Sequence, residues 1–296
     1  MTRRVLLFGA SGFIGGHVRA ALEADPEVKE VICPGRIDHD LIDGDLIGLN
    51  RVLRDAEPDA VVSCVGKLDG TDAELIQANT MVAAKLLEAV AATAPRARLV
   101  RLGSAGEYGV VEHGRSVTEE DPTAPVGAYG VSHLAATSLF RLAEPVDAVS
   151  LRVFNPIGPG MSKENMLGRA ADRIRTALAT GADEIMMGPL SAYRDFIDVR
   201  DAAALVTAVL RAPALRHRVF NAGSGRAVSG RQAVVLLAET AGYHGDIREA
   251  GAGPQRSAAV GWIRADVGRA RTELGWAPRH ALGASIKAVW DASAAG

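Results

Sequence analysis

Three glycines at fixed spacing, Gly9-Ala10-Ser11-Gly12-Phe13-Ile14-Gly15, follow directly on the apolar run Val5-Leu6-Leu7-Phe8 and open a helical stretch. Few architectures accept a buried strand that ends in such a turn. The first glycine allows a tight turn, the second lets the backbone approach a pyrophosphate, and the third lets the helix pack close on the strand. Amide groups at the helix start then face the phosphates. The alternation continues down the chain: apolar runs at 28–33, 60–64, 99–102 and 148–153 are separated by helical stretches at 13–24, 47–55, 71–93 and 129–142. The runs are continuous, as in parallel strands buried on both faces. The pattern predicts an α/β fold with a Rossmann-type doubly wound parallel sheet over residues 1–155.

From Asn155 onward the texture changes. Two prolines and two glycines in 156–160 cannot continue a strand or a helix. Helical patches at 166–180, 202–211, 230–241 and 268–274, with short runs at 184–187 and 219–221, predict a smaller mixed α/β substrate-binding portion over 156–296. Some of these later segments are expected to return to the large domain.

Composition narrows the function. The 296 residues are 48% hydrophobic with a net charge of −2, which marks a folded chain and argues against a dedicated nucleic-acid binder. No apolar run reaches the roughly 18 residues that span a bilayer, and the N-terminal run is too short for a signal-peptide core. A cytoplasmic enzyme with no membrane partner is therefore expected. Cys33 and Cys64 are the two cysteines; they make neither a disulfide framework nor a CxxC-type metal site, and no metal is expected.

The end of the second strand discriminates between dinucleotides. An acid there binds the ribose 2′-hydroxyl of NAD, whereas an arginine pairs with a 2′-phosphate. The sequence reads Val31-Ile32-Cys33-Pro34-Gly35-Arg36, with no acid until Asp38. Arg36 thus favours NADPH, with NADH possible; the alternative is a solvated loop arginine. Asp45 and Leu46 are placed to receive the adenine amino group and cover the ring, and Cys64, Val65 and Gly66 to pass beneath the adenosine ribose.

Further segments complete a pattern. They are Gly103-Ser104-Ala105-Gly106-Glu107-Tyr108-Gly109, Ala128-Tyr129-Gly130-Val131-Ser132-His133 and Arg152-Val153-Phe154-Asn155-Pro156-Ile157-Gly158-Pro159-Gly160. Tyr193-Arg194-Asp195-Phe196-Ile197-Asp198-Val199-Arg200-Asp201, Phe220-Asn221-Ala222-Gly223-Ser224-Gly225 and Glu273-Leu274-Gly275-Trp276 follow. In order and spacing these resemble the extended short-chain dehydrogenase/reductase (nucleotide-sugar epimerase/dehydratase) family over nearly the whole chain. Within it they are most similar to the reductases of GDP-4-keto-6-deoxymannose.

The resemblance implies a ketoreductase with NADPH as hydride donor and a small-molecule ketone as substrate. To the cofactor it assigns Ser11, Phe13, Ile14, Asn79, His133, Phe154, Asn155 and Ile157 besides the residues above. To the substrate it assigns Ser104, Gly106, Glu107, Asn155, Met161, Met166, Arg194 and Arg256. It also implies a homodimer through the helices at 71–93 and 129–142, where Ala83, Ala84, Ala135 and Ala136 permit close approach or serve internal packing. Asn155 alternatively reads as a turn residue before proline, Arg194 as an ion-pair partner of Asp195 or Asp198, and the methionines as core filler. Ser257 and Ala259 stand where the family has a proline and an acid, which opens the pocket to other ketones.

Ketone reduction needs a hydride at carbon and a proton at oxygen. Ser104 is expected to hold the carbonyl oxygen and Tyr129 to donate the proton. The family has a lysine one helical turn after the tyrosine, binding the nicotinamide ribose and lowering the tyrosine's pKa. Here that position is His133. Histidine titrates near 6.5, so its ring is mostly uncharged at neutral pH. Three readings follow: His133 relays protons, an acidic hydroxyl of the substrate assists, or the chain is a non-catalytic NADP-binding regulator. Protonating a developing alkoxide is easier than deprotonating an alcohol, so the departure favours a one-way reductase. The leading substrate is a nucleotide-linked 4-keto-6-deoxy sugar; the alternative is an aromatic polyketide or other secondary-metabolite ketone in antibiotic biosynthesis.

Overall fold

A computed structural model describes residues 2–251 and 259–293. The first half runs β1 (Arg3–Phe8), α1 (Phe13–Glu23), β2 (Val28–Ile32), α2 (Leu46–Ala56), β3 (Ala60–Ser63) and α3 (Asp72–Leu75). A π-helical turn, Ile76–Met81, leads into α4 (Val82–Thr93), then β4 (Arg98–Ser104), α5 (Ala128–Leu142) and β5 (Ala148–Val153). The second half adds β6 (Pro156–Ile157), α6 (Met166–Thr180), β7 (Glu184–Met187), β8 (Tyr193–Asp195), β9 (Ile197–Asp198) and α7 (Val199–Arg211). It closes with β10 (Val219–Ala222), β11 (Ala227–Ser229), α8 (Gly230–Ala241), β12 (Asp246–Glu249), α9 (Gly268–Leu274) and α10 (Leu282–Ala292).

The central sheet has six parallel strands in the order β10-β5-β4-β3-β1-β2. Strand side chains alternate between faces, and the continuous apolar runs supply both. Val5 and Leu7 of β1 pack with α1 and α7 on one face, while Leu6 and Phe8 pack with α2, α4 and α5 on the other. β10 extends the sheet beside β5, and α7 lies against α1. A third apolar cluster, built by α6, α8, α10 and β7, forms the core of the smaller portion. Strands β8, β9, β11 and β12 are too short to carry a readable period, and helix α10, although Leu282, Ile286 and Val289 stand at helical spacing, is not among the expected helices.

The continuous helix 72–93 is long and apolar enough to cross a membrane by length and composition alone. Its apolar face is spent on the sheet: Val82, Ala83, Leu86, Ala89 and Val90 are buried in the second cluster. Ala83 and Ala136 are likewise inside, which settles those two for internal packing.

Candidate active site

The glycine turn is built as its spacing requires. Gly9 has φ +79°, and a Cβ there would meet the Cys64 and Val65 backbone at 3.0–3.1 Å. At Gly15 a Cβ would lie 1.9 Å from the Gly9 carbonyl, so no side chain fits. Gly12 is the N-cap of α1 and supplies no capping side chain, which leaves first-turn amides to an anion. This cradle fits a dinucleotide pyrophosphate. His17 of α1 bonds the Pro159 carbonyl (2.9 Å), tying the cradle's helix to the loop that carries Asn155.

Arg36 stands exposed just beyond β2, with Gly35 fixed by Asp38 (2.8 Å). Asp45, expected at the adenine, is the N-cap of α2: one carboxylate oxygen accepts the Gly48 amide at 2.8 Å, and the residue is exposed. Asn79 projects from the π-helical turn, buried, and clamps Lys67 through both its amide and carbonyl (2.8 and 3.1 Å). Its side chain thus shapes the loop of Cys64, Val65 and Gly66. π-Turns of this kind recur at functional sites. Phe154 and Ile157 are wholly buried, so they do not offer contact surfaces as expected; they flank and hold Asn155. The Asn155 amide donates to the Asp195 carbonyl at 3.1 Å.

Ser104 ends β4 and caps a short 3-10 turn, Ala105–Glu107. Its Oγ accepts the Gly106 amide at 3.0 Å, leaving the hydroxyl proton free to donate to a carbonyl. Tyr129 sits in the first turn of α5. A Cβ on Gly106 would lie 3.3 Å from both the Ser104 Oγ and the Tyr129 ring. At Gly130 a Cβ would be 2.4 Å from the Gly106 carbonyl, so glycine alone lets the helix approach this closely. Ser104 and Tyr129 therefore meet over Gly106.

Glu107 departs from expectation. It is fully buried and pairs with the equally buried Arg152 at 2.8 Å. Its other oxygen accepts from the Ser104 amide (3.1 Å) and Thr137 (3.0 Å). A carboxylate so committed supports the floor of the site and does not reach a substrate.

His133 is buried, its ring 4.7 Å from that of Tyr129. Its Nδ1 lies 3.0 Å from a guanidinium nitrogen of Arg101, a fully buried residue of β4. Arginine only donates, so Nδ1 accepts and the ring is neutral with its proton on Nε2. Burial, and then the Arg101 charge, hold the His133 pKa well below 6.5. Burial brings Arg101 itself down to about 10, so it remains charged at neutral pH. Arg101 also donates to Thr137 (3.0 Å) and Ser150 (2.9 Å). The sequence reading missed Arg101 because nothing in a strand's run of residues says which side chain crosses to the next helix.

On the substrate side, Arg194 is half-buried in β8, where burial lowers its pKa, and donates to the Tyr193 carbonyl. Asp195 accepts from Ser224, Gly225 and Ala265, and Asp198 pairs with Arg200 at 2.7 Å. Both acids thus serve the framework. Met161 and Met166 pack against the third apolar cluster. Arg256 and Ser257 lie outside the described residues, while Ala259 is exposed.

Comparison with known proteins extends this geometry. Residues 5–223 match the model of the NAD dependent epimerase/dehydratase family. The chain is 38% identical to the dTDP-6-deoxy-L-talose 4-dehydrogenase (NAD(P)(+)) of Kitasatospora kifunensis, over 98% of this chain and 95% of that one. It is 30% identical to the GDP-6-deoxy-D-mannose reductase of Pseudomonas aeruginosa, over 98% and 96%. The solved structure of RMD from Pseudomonas aeruginosa complexed with NADPH superposes with a TM-score of 0.85 at 26% identity, covering 100% of this chain and 98% of that one.

Proposed function

The chain belongs to the NAD dependent epimerase/dehydratase family, and on that premise we propose that it is an NADPH-dependent ketoreductase of a nucleotide-linked 4-keto-6-deoxy sugar. The observation that carries this reading is the meeting of the Ser104 hydroxyl and the Tyr129 ring over Gly106, between the glycine cradle and the Asn155 loop. Similarity to a dehydrogenase of a dTDP-linked deoxysugar and a reductase of a GDP-linked one supports the substrate class.

The turn built on Gly9, Gly12 and Gly15 holds the pyrophosphate with the first-turn amides of α1, Arg36 the 2′-phosphate, and the loop at Cys64, Val65 and Gly66 the adenosine ribose. Bound there, the reduced nicotinamide supplies a hydride. Ser104 donates a hydrogen bond to the substrate carbonyl, which draws charge to that oxygen. Tyr129 donates the proton as the oxygen becomes an alkoxide, so one hydride and one proton give the alcohol. Asn155 orients the sugar, and Arg194 pairs with the diphosphate through its planar fork.

The test is NADPH oxidation with dTDP- and GDP-linked 4-keto-6-deoxyhexoses alongside aromatic polyketide ketones. Turnover of a sugar nucleotide is expected; turnover of the aromatic ketones alone overturns the substrate class, and turnover of none favours a non-catalytic binder. NADPH is expected to raise Tm more than NADH at equal concentration, and Arg36→Glu to erase that difference. An unchanged preference in the variant removes Arg36 from its role.

A homodimer is part of the same proposal. Met81, Val131, Leu139 and Leu142 leave apolar side chains exposed along the helices 72–93 and 128–142. The double substitution Val131→Asp, Leu139→Asp is expected to give a monomer in sedimentation velocity. A wild-type protein that already sediments as a monomer refutes this interface.

A further inference from the structure

We propose that Arg101 is the positioning cation of this site: it fixes His133 in the Nε2-protonated form and lends Tyr129 the positive charge that the family draws from a lysine. One lysine performs two tasks there, a hydrogen bond to the nicotinamide ribose and a charge beside the tyrosine. Here the tasks are divided, with the bond given by His133 and the charge by Arg101. The kinetic part of this inference rests on the ketoreductase reading; the structural part stands without it.

Three observations carry the argument. The hydrogen bond from Arg101 to His133 Nδ1 (3.0 Å) joins two buried side chains on different elements, β4 and α5. That bond removes the Nδ1–H tautomer, because a guanidinium cannot accept. The other hydrogen-bond partners of Arg101 among the described residues, Thr137 and Ser150, are neutral too. No carboxylate bonds Arg101 directly among the described residues; Glu107, reached through the shared Thr137 hydroxyl, is the anion that most favours its charged form. The nearby Glu107 is bonded instead to Arg152, so two arginines share one acid in this part of the core. Finally, a phenolate at Tyr129 would favour the charged form of Arg101, and that attraction acts equally on the tyrosine. The charge acting on His133 is that of Arg101, and the charges acting on Arg101 are, in order, Glu107 of the 3-10 turn, a phenolate at Tyr129 and Arg152 of β5.

The arrangement also explains why lysine is absent. A lysine at 133 would set a second buried cation against Arg101, at the place where the imidazole now accepts. Like charges at that distance in a dry core are strongly unfavourable. Arg101 and a lysine at 133 exclude one another, so the two positions are coupled.

Three experiments test this with the whole chain. Nitrogen-15 NMR of histidine-labelled protein, with the His133 signals assigned by their loss in His133→Gln, is expected to show a neutral Nε2–H ring from pH 8 to pH 6. An Nδ1–H ring, or one that protonates near 6.5, overturns the proposal without any assay of turnover. The second experiment is a swap. His133→Lys alone is expected to lower the urea midpoint, and adding Arg101→Met to raise it again, because a single cation remains. Equal effects of His133→Lys with and without Arg101 refute the coupling. In the assay with NADPH and keto-sugar nucleotide, Arg101→Met is expected to shift the pH limb due to Tyr129 upward by about one unit, a tenfold change in phenolate fraction. Arg101→Lys, which keeps the charge, should leave the limb in place. A limb that does not move in Arg101→Met denies the charge its role. Absence of turnover in wild type counts against the ketoreductase reading alone, since the NMR and the swap still report on Arg101.

Discussion

Tyr129→Phe is expected to lower ketone reduction by about 10²–10⁴-fold, the usual loss when a positioned proton donor is removed. The phenol is lost while the ring stays, so the packing over Gly106 is preserved. NADPH affinity, followed by cofactor fluorescence, should change little, because the glycine cradle and the loop held by Asn79 lie on other elements. The loss should therefore fall on kcat. A variant that keeps activity within a few-fold of wild type would show that the proton comes from elsewhere, for instance from an acidic hydroxyl of the substrate. The result thus separates a protein-supplied proton from substrate assistance, the two catalytic readings that the missing lysine leaves open.

Glu107→Ala is expected to be the most damaging single change to stability. It strips the carboxylate from a buried pair and leaves Arg152, 2% exposed, facing the core without a counter-charge. Breaking such a pair from one side costs about 3–5 kcal/mol. The Ser104 amide and the Thr137 hydroxyl lose an acceptor in the same step. Urea denaturation followed by far-UV circular dichroism measures the loss. A cost below about 1 kcal/mol, typical of an exposed pair, would mean that water reaches Arg152 and that the site has no dry floor. Because Glu107 also orients the turn that carries Gly106, surviving protein should show a weakened Ser104–Tyr129 pairing.

The fold was legible where a local pattern and a global constraint coincide. The apolar runs of β1, β3, β4 and β5 are buried on both faces, and with the edge strand β2, where Lys29 and Glu30 are exposed, their order predicts the doubly wound sheet. The glycines are legible for a similar reason: at Gly9 and Gly15 the backbone leaves no room for a side chain, and a chain of L-residues has no other solution. Leu41 packs into the second cluster from a loop. Short strands such as β8 and β11 exist only because each finds the other as partner, which no single segment announces.

The site was legible by residue type and less so by role. Ser104, Tyr129 and His133 were picked out by type and spacing, and the structure brings them together. Glu107, Phe154 and Ile157 were assigned to ligands, but Glu107 is committed to an ion pair and the two apolar side chains lie in the core. A carboxylate or an apolar ring reads the same in sequence whether it faces a ligand or a neighbour, because burial is a property of packing.

By itself the sequence determined the parallel sheet, the dinucleotide turn, the tyrosine in its helix and the absence of a lysine one turn later. Those features follow from short-range sterics and from periodicity, which act along the chain. Tertiary structure alone decided that β10 returns to the sheet, that Glu107 belongs to Arg152, and that Arg101 reaches His133 across 32 residues of chain. Charge and hydrogen bonding act through space, and which groups share that space is settled only when β4 and α5 pack together.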